Sequence, residues 1–107
     1  MMSEECIQID DKGLLTLAAK AIGFTFEDHY DDDQYWPWVE ETQDFWNPLF
    51  QNEDAFSLMV KLKIDVAFHP RCVSVGDADL EFYDDDPYAA TRRAIVNAAA
   101  EIGREMK

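Results

Sequence analysis

The sequence predicts one α+β domain over residues 1–107: about three helices packed with a small antiparallel sheet as a helix/sheet/helix sandwich. Three observations lead there. Apolar residues recur at helical spacing near the start of the chain and again after Pro87. Short β-rich runs separated by turn residues occupy the stretch 65–83. A chain of 107 residues can bury one small core and not two.

The first helix is predicted over 11–22. Leu14, Leu15, Ala18, Ala21 and Ile22 form its apolar stripe, widened by Leu17. Asp10 or Asp11 can cap its start by accepting from exposed backbone N–H groups, and Gly23 is the stop. The next 28 residues, 24–51, are long for a loop. They predict short strands or a hairpin. Phe24, Thr25 and Phe26 suit a strand start. Tyr35, Trp36, Trp38 and Val39 suit a second run, which Pro37 confines to an edge or a bend. Pro48 pushes Asn47 out of the helical region, so residues 46–50 read as an extended or turned piece.

A second helix is predicted from Asn52, with Asn52 as N-cap and Glu53 and Asp54 at the positive end of the helix dipole. Ala55, Phe56, Leu58, Met59 and Leu62 make its buried stripe, and Lys61 and Lys63 lie in its last turn. Strands are expected over 65–69, 72–75 and 78–83, the last two forming a hairpin through Gly76-Asp77. In the last strand Leu80 and Phe82 are expected to face the core and Asp79 and Glu81 to face out. The final helix takes Asp86 as N-cap and Pro87 at its first position, where a missing N–H costs nothing. Tyr88, Thr91, Ile95, Ala98, Ala99, Ile102 and Met106 trace one face.

Charge narrows the function classes. Nine basic residues against 23 acidic ones give 9 − 23 = −14. That charge repels DNA, RNA and anionic lipid. It is concentrated: residues 21–60 and 72–91 hold no Lys or Arg. The opening residues show no secretory signal pattern, and no apolar run reaches the roughly 18 residues needed to span a bilayer. The expectation is a cytoplasmic protein in which Cys6 and Cys72 are thiols.

Residues Trp46-Asn47-Pro48-Leu49 followed by Asp54-Ala55, and the run from Asp86 through Ile95, resemble segments of small prophage-encoded proteins: the phage ABA-sandwich family and its NinX-like relatives. The resemblance covers about the last two-thirds of the chain. It implies a helix/sheet/helix sandwich and a phage or prophage origin in a host cytoplasm. It implies no established activity, so no catalytic residue is carried over.

The residues themselves do not point to an enzyme. No serine lies in a GxSxG context and no Gly-rich phosphate loop exists. His69 and Cys72, three apart in an extended chain, point to opposite faces. A calcium loop starting at Asp28 would place Asp33 where glycine is needed and Val39 where the closing glutamate belongs. Asp84, Asp85 and Asp86 read as a loop ending in a cap, and His29, beside Asp28 and Asp31, as a solvated histidine. No catalytic residue, metal site or cofactor is expected.

The informative feature is the interleaving of rings and carboxylates. Trp46 and Phe50 are assigned to the core because a small domain needs large side chains to bury area. Trp36 and Trp38 stand on one face of a period-two strand, either in the core or exposed as an anchor for a partner. The carboxylates serve either solubility or mimicry of a phosphate backbone. Alternate strand residues such as Asp79 and Glu81 repeat about every 6.6 Å. The expected partner surface comprises Glu27, Asp28, Asp31, Asp32, Asp33, Tyr35, Trp36, Trp38, Glu40, Glu41 and Asp44, with Asp77, Asp79, Glu81, Asp84 and Asp85 as a second patch. Its target would be a basic host protein that handles nucleic acid, blocked as by an anti-defence or anti-CRISPR-type inhibitor. The alternatives are a binder or sponge for a nucleotide or cationic metabolite, and a homo-oligomeric phage assembly factor.

Overall fold

The computed structural model describes residues 11–31, 34–76, 79–83 and 85–106; for Asp31, Gln34, Asp79 and Leu80 it describes the backbone alone. The expectations for Cys6, Asp10, Asp32, Asp33, Asp77 and Asp84 fall outside the described residues. The fold is α+β. Helix α1 spans Asp11–Ile22. Five two-residue strands follow: β1 Phe26–Glu27, β2 Tyr30–Asp31, β3 Gln34–Tyr35, β4 Trp38–Val39 and β5 Asp44–Phe45. Then come α2 Asn52–Leu62, β6 Val66–Phe68, β7 Cys72–Val75, β8 Asp79–Phe82 and α3 Pro87–Glu105. All pairings are antiparallel, in a sheet β1-β4-β5, a ladder β2-β3 and a sheet β6-β7-β8. The strands thus divide between two three-stranded sheets and a ladder, where one sheet was expected.

Helix α1 ends as its sequence predicts. Gly23 has φ +77°, and Phe24 N–H and Gly23 N–H donate to the carbonyls of Ala19 and Lys20, the pattern that closes a helix on a left-handed glycine. Asp86 caps α3 by accepting from Tyr88 N and Ala89 N at 3.0 and 3.2 Å. The α2 cap differs from expectation. Gln51 is the capping residue and makes no side-chain cap bond. Asn52 lies one residue inside, its Oδ1 accepting from Arg92 Nη1 at 2.7 Å. Lys63 falls just past the helix with φ 58°.

The core is built by close helix packing. Leu14, Leu15, Ala18 and Ala19 of α1 meet Ile95, Val96, Ala99 and Ala100 of α3, with Ala55 and Leu58 of α2 and with Val39 and Trp46. A second cluster joins Ala94 of α3 to Val73 and Val75 of β7. Each fully buried Leu or Val contributes about 1.5–3 kcal/mol. Helix α3 is therefore buried on two sides, which corrects its expected stripe. Ala90, Ala94, Val96, Ala100 and Gly103 are interior, while Tyr88, Ile102 and Met106 are exposed. In α1, Ala19 takes the buried place expected of Ala21, which is half-buried.

Two further expectations reverse. Phe56 is 61% exposed, because alanines bring the helices together and leave no room for a ring between them. In β8, Glu81 pairs with the buried Val73. It lies on the face toward α3, where Asn97 Nδ2 donates to its Oε2 at 3.2 Å. Phe82 is 62% exposed. At Glu81 and Phe82, the residues of this strand whose side chains are described, the phase is opposite to the one expected: a period of two says that faces alternate, not which face is covered.

Candidate functional site

Residue Asn47 organises the region where rings and carboxylates meet. It is 3% exposed and both polar atoms of its side chain are bonded. Nδ2 donates to Tyr35 O at 2.9 Å and Oδ1 accepts from Leu49 N at 3.0 Å. Its backbone N–H donates to Asp54 Oδ2 at 2.9 Å, and its carbonyl accepts from Phe50 N and Gln51 N. Pro48 favours the extended backbone at Asn47 that makes this possible. Trp46 N–H donates to Pro37 O. One asparagine thus ties the end of β3 and the turn before α2 to the first turn of α2.

These ties open a cleft of about 410 Å³ lined by His29, Trp36, Asp44, Phe45, Gln51, Glu53 and Asp54. Its rings are backed by other rings. Phe45 lies between His29 at 4.8 Å and Trp38 at 5.1 Å, and Trp36 packs on Phe50 at 5.8 Å between centroids. Such ring pairs add about 0.5–1.5 kcal/mol beyond area burial. Phe50, expected in the core, is 51% exposed in this role. Trp46, at 4%, is the core indole, edge-on to Phe24. Trp36 and Trp38 are both half-buried. They do not share a strand, since Pro37 separates β3 from β4.

Three carboxylates enter this cleft, and no lysine or arginine lines it among the described residues. Asp44 Oδ1 accepts from Phe45 N at 2.8 Å. The proton affinity of Asp54 is raised, first by burial and then by the charges of Glu53 and Asp44, against the lowering bond from Asn47 N–H. A carboxyl with a raised value weakens the fold while it is ionised in the folded state, and the weakening is relieved as pH falls through that value. Asp54→Asn keeps an acceptor for Asn47. The variant is expected to melt above the parent at neutral pH. The gain should shrink as pH falls toward 3.8, the ordinary value for the group. Melting curves across that range check this; a gain that grows on acidification contradicts it.

Other expected partner residues serve the fold. Asp28 pairs with Lys12 Nζ at 2.8 Å and accepts from Tyr35 Oη at 2.7 Å. The Lys12 bond and then the Tyr35 bond lower its proton affinity. Burial, and then the Asp28 bond, hold the Tyr35 phenol neutral well above its usual range. Glu41 Oε1 accepts from Thr25 N, which lowers its own value and joins β1 to the turn after β4. Glu27 and Glu40 are exposed. Asp31 lies in β2 and Asp79 in β8.

The second patch stands apart. Glu81 and Asp85 border a separate concavity with Phe82, Tyr83, Ala89 and Arg93, and β8 packs chiefly on β7 and α3. Sequence reasoning placed Trp36 and Asp44 in the surface now seen as the cleft. It read Glu53 and Asp54 only as charges at a helix start and His29 as solvated. The signal it lacked is the Asn47 turn, which folds the first turn of α2 back beside Trp36.

His69 Nε2 lies 3.1 Å from Ser74 Oγ of β7, and the His69 backbone N–H donates to Cys72 O. Among the described residues no helix is long and apolar enough to cross a membrane. No family model matches the chain, and no curated protein or solved structure is significantly similar to it.

Proposed function

We propose that this is a non-enzymatic accessory protein that binds a basic, nucleic-acid-handling protein through the anionic, ring-lined face of residues 27–54. One observation carries the reading: Asp44, Glu53 and Asp54 share a concave site with Trp36 and Phe45, and no lysine or arginine is among its described lining residues. Carboxylates kept together without cations repel each other, and a basic partner relieves that repulsion. The net charge of −14 steers such a partner from a distance. Rings on the rim supply desolvated anchors. A surface of this kind competes with phosphates for a basic groove. The resemblance to prophage-encoded proteins supplies the setting, inhibition of a host defence protein. Glu81 and Asp85 border a separate concavity and are not needed for the reading.

The test is capture from bacterial lysate at low and high salt. The expected result is recovery of basic nucleic-acid-binding proteins at low salt, their loss at high salt, and their absence with the double variant Trp36→Ala/Asp44→Asn. Recovery of no basic protein, or of partners indifferent to salt, overturns the reading. A second reading is favoured by the cleft's volume, which lies within the range of small-molecule sites. A cationic metabolite in the same place would raise the melting temperature by mass action, and a thermal-shift screen separates it from the first.

A further inference from the structure

Resting on the acidic-face reading, we propose that this cleft is a seat for a single arginine side chain of the partner, its guanidinium lying against Trp36 and Phe45 and facing Asp44 and Asp54. Four features select that group. The first is charge: three carboxylates line the cleft, and no lysine or arginine does among the described residues.

The second is spacing. Among the described residues no three His, Cys, Asp or Glu side chains come close enough together to hold a metal ion. A compact ion is therefore poorly served. A cation that spreads its charge over a plane can meet carboxylates on two sides at once.

The third is the walls. Phe45 is held by His29 and Trp38, and Trp36 by Phe50. The rings are set in place before anything binds, so little rotamer freedom is lost on binding. A guanidinium stacks on such faces and sheds its water more readily than an ammonium does.

The fourth is acceptor orientation. One oxygen of Asp44 is taken by Phe45 N–H and one of Asp54 by Asn47 N–H. Each carboxylate is thereby aimed, with its second oxygen left for the five N–H donors of a guanidinium.

The experiment titrates the full chain with N-acetyl-arginine amide and N-acetyl-lysine amide, following backbone and indole N–H resonances at low ionic strength. The expected result is shifts centred on Trp36, Phe45 and Asp54, with arginine about fivefold or more tighter than lysine. Asp54→Asn and Trp36→Ala should each weaken arginine binding by about fivefold or more. Glu105→Gln, an exposed residue remote in sequence from the cleft that removes the same charge, should change nothing. If Trp36→Ala melts too low to measure, Asp54→Asn and Asp44→Asn decide. Equal binding of the two amides, shifts scattered over the surface, or full binding by Asp54→Asn overturns the arginine seat. Salt-sensitive capture of basic proteins by the parent chain, lost in Trp36→Ala/Asp44→Asn, together with equal binding of the two amides, overturns the seat alone and leaves the broader reading standing. Absence of both capture and arginine preference overturns the two together.

Discussion

Replacing Asn47 with leucine is expected to lower stability by about 2–5 kcal/mol, the largest effect of any single change near the cleft. The substitution fills similar space but removes two interior bonds. Tyr35 O loses its donor and Leu49 N–H loses its acceptor, and both stay where water reaches them poorly. Each orphaned group costs about 1–3 kcal/mol. A domain of 107 residues holds about 5–15 kcal/mol in all, so the variant sits close to unfolding. Denaturant titration measures this. A loss under about 1 kcal/mol would mean that the turn is held by Pro48 and Trp46 instead. The same variant should lose arginine binding even in the fraction that remains folded, because Asn47 couples the segment carrying Trp36 to the turn that precedes Asp54.

The second large effect is expected at Gly103. A methyl group there would collide with Leu17 O and lie 2.8 Å from Leu17 C, both backbone atoms. No rotamer change relieves such a contact, so α1 and α3 must move apart. Separation loosens the packing of Ala18 and Ala19 against Ala99 and Ala100. Overpacking of this kind costs about 1–3 kcal/mol and occasionally more. Helix propensity alone argues the reverse, since alanine is about 1 kcal/mol better than glycine inside a helix. The sign of the result therefore decides. Gly103→Ala should lower the melting temperature, and any rise would show that the helices are not pressed together there. A methyl group at Gly23 or Gly76 would meet nothing within 4 Å; each is there for its positive φ.

That close packing also explains what the sequence did and did not disclose. Helix boundaries were legible because their signals are local: Gly23 after Ile22, and Asp86-Pro87 before the long alanine-rich run. Side-chain destinations were less so. Phe50 was assigned to the interior on size and Phe56 by its place in the helical stripe, yet the interior is filled by Ala18, Ala19, Ala94, Ala99 and Ala100. When helices approach on small residues, bulk is displaced to the rim. Glu81 was placed outward on polarity, but β8 is an edge strand and a long side chain can reach Asn97 from its margin. The cleft was half legible. Trp36 and Asp44 stood out by composition, whereas Glu53 and Asp54 join them only through a turn whose hydrogen bonds no periodicity reveals.

The pairing of α1 with α3 has a consequence for biosynthesis. The first helix finds its main support near the other end of the described chain: Arg93 reaches Asp11, and Lys20 Nζ donates to Met106 O. A helix of 12 residues is marginal alone in water. On the ribosome, α1 therefore has no packing partner along this face until α3, as far as Gly103, has emerged.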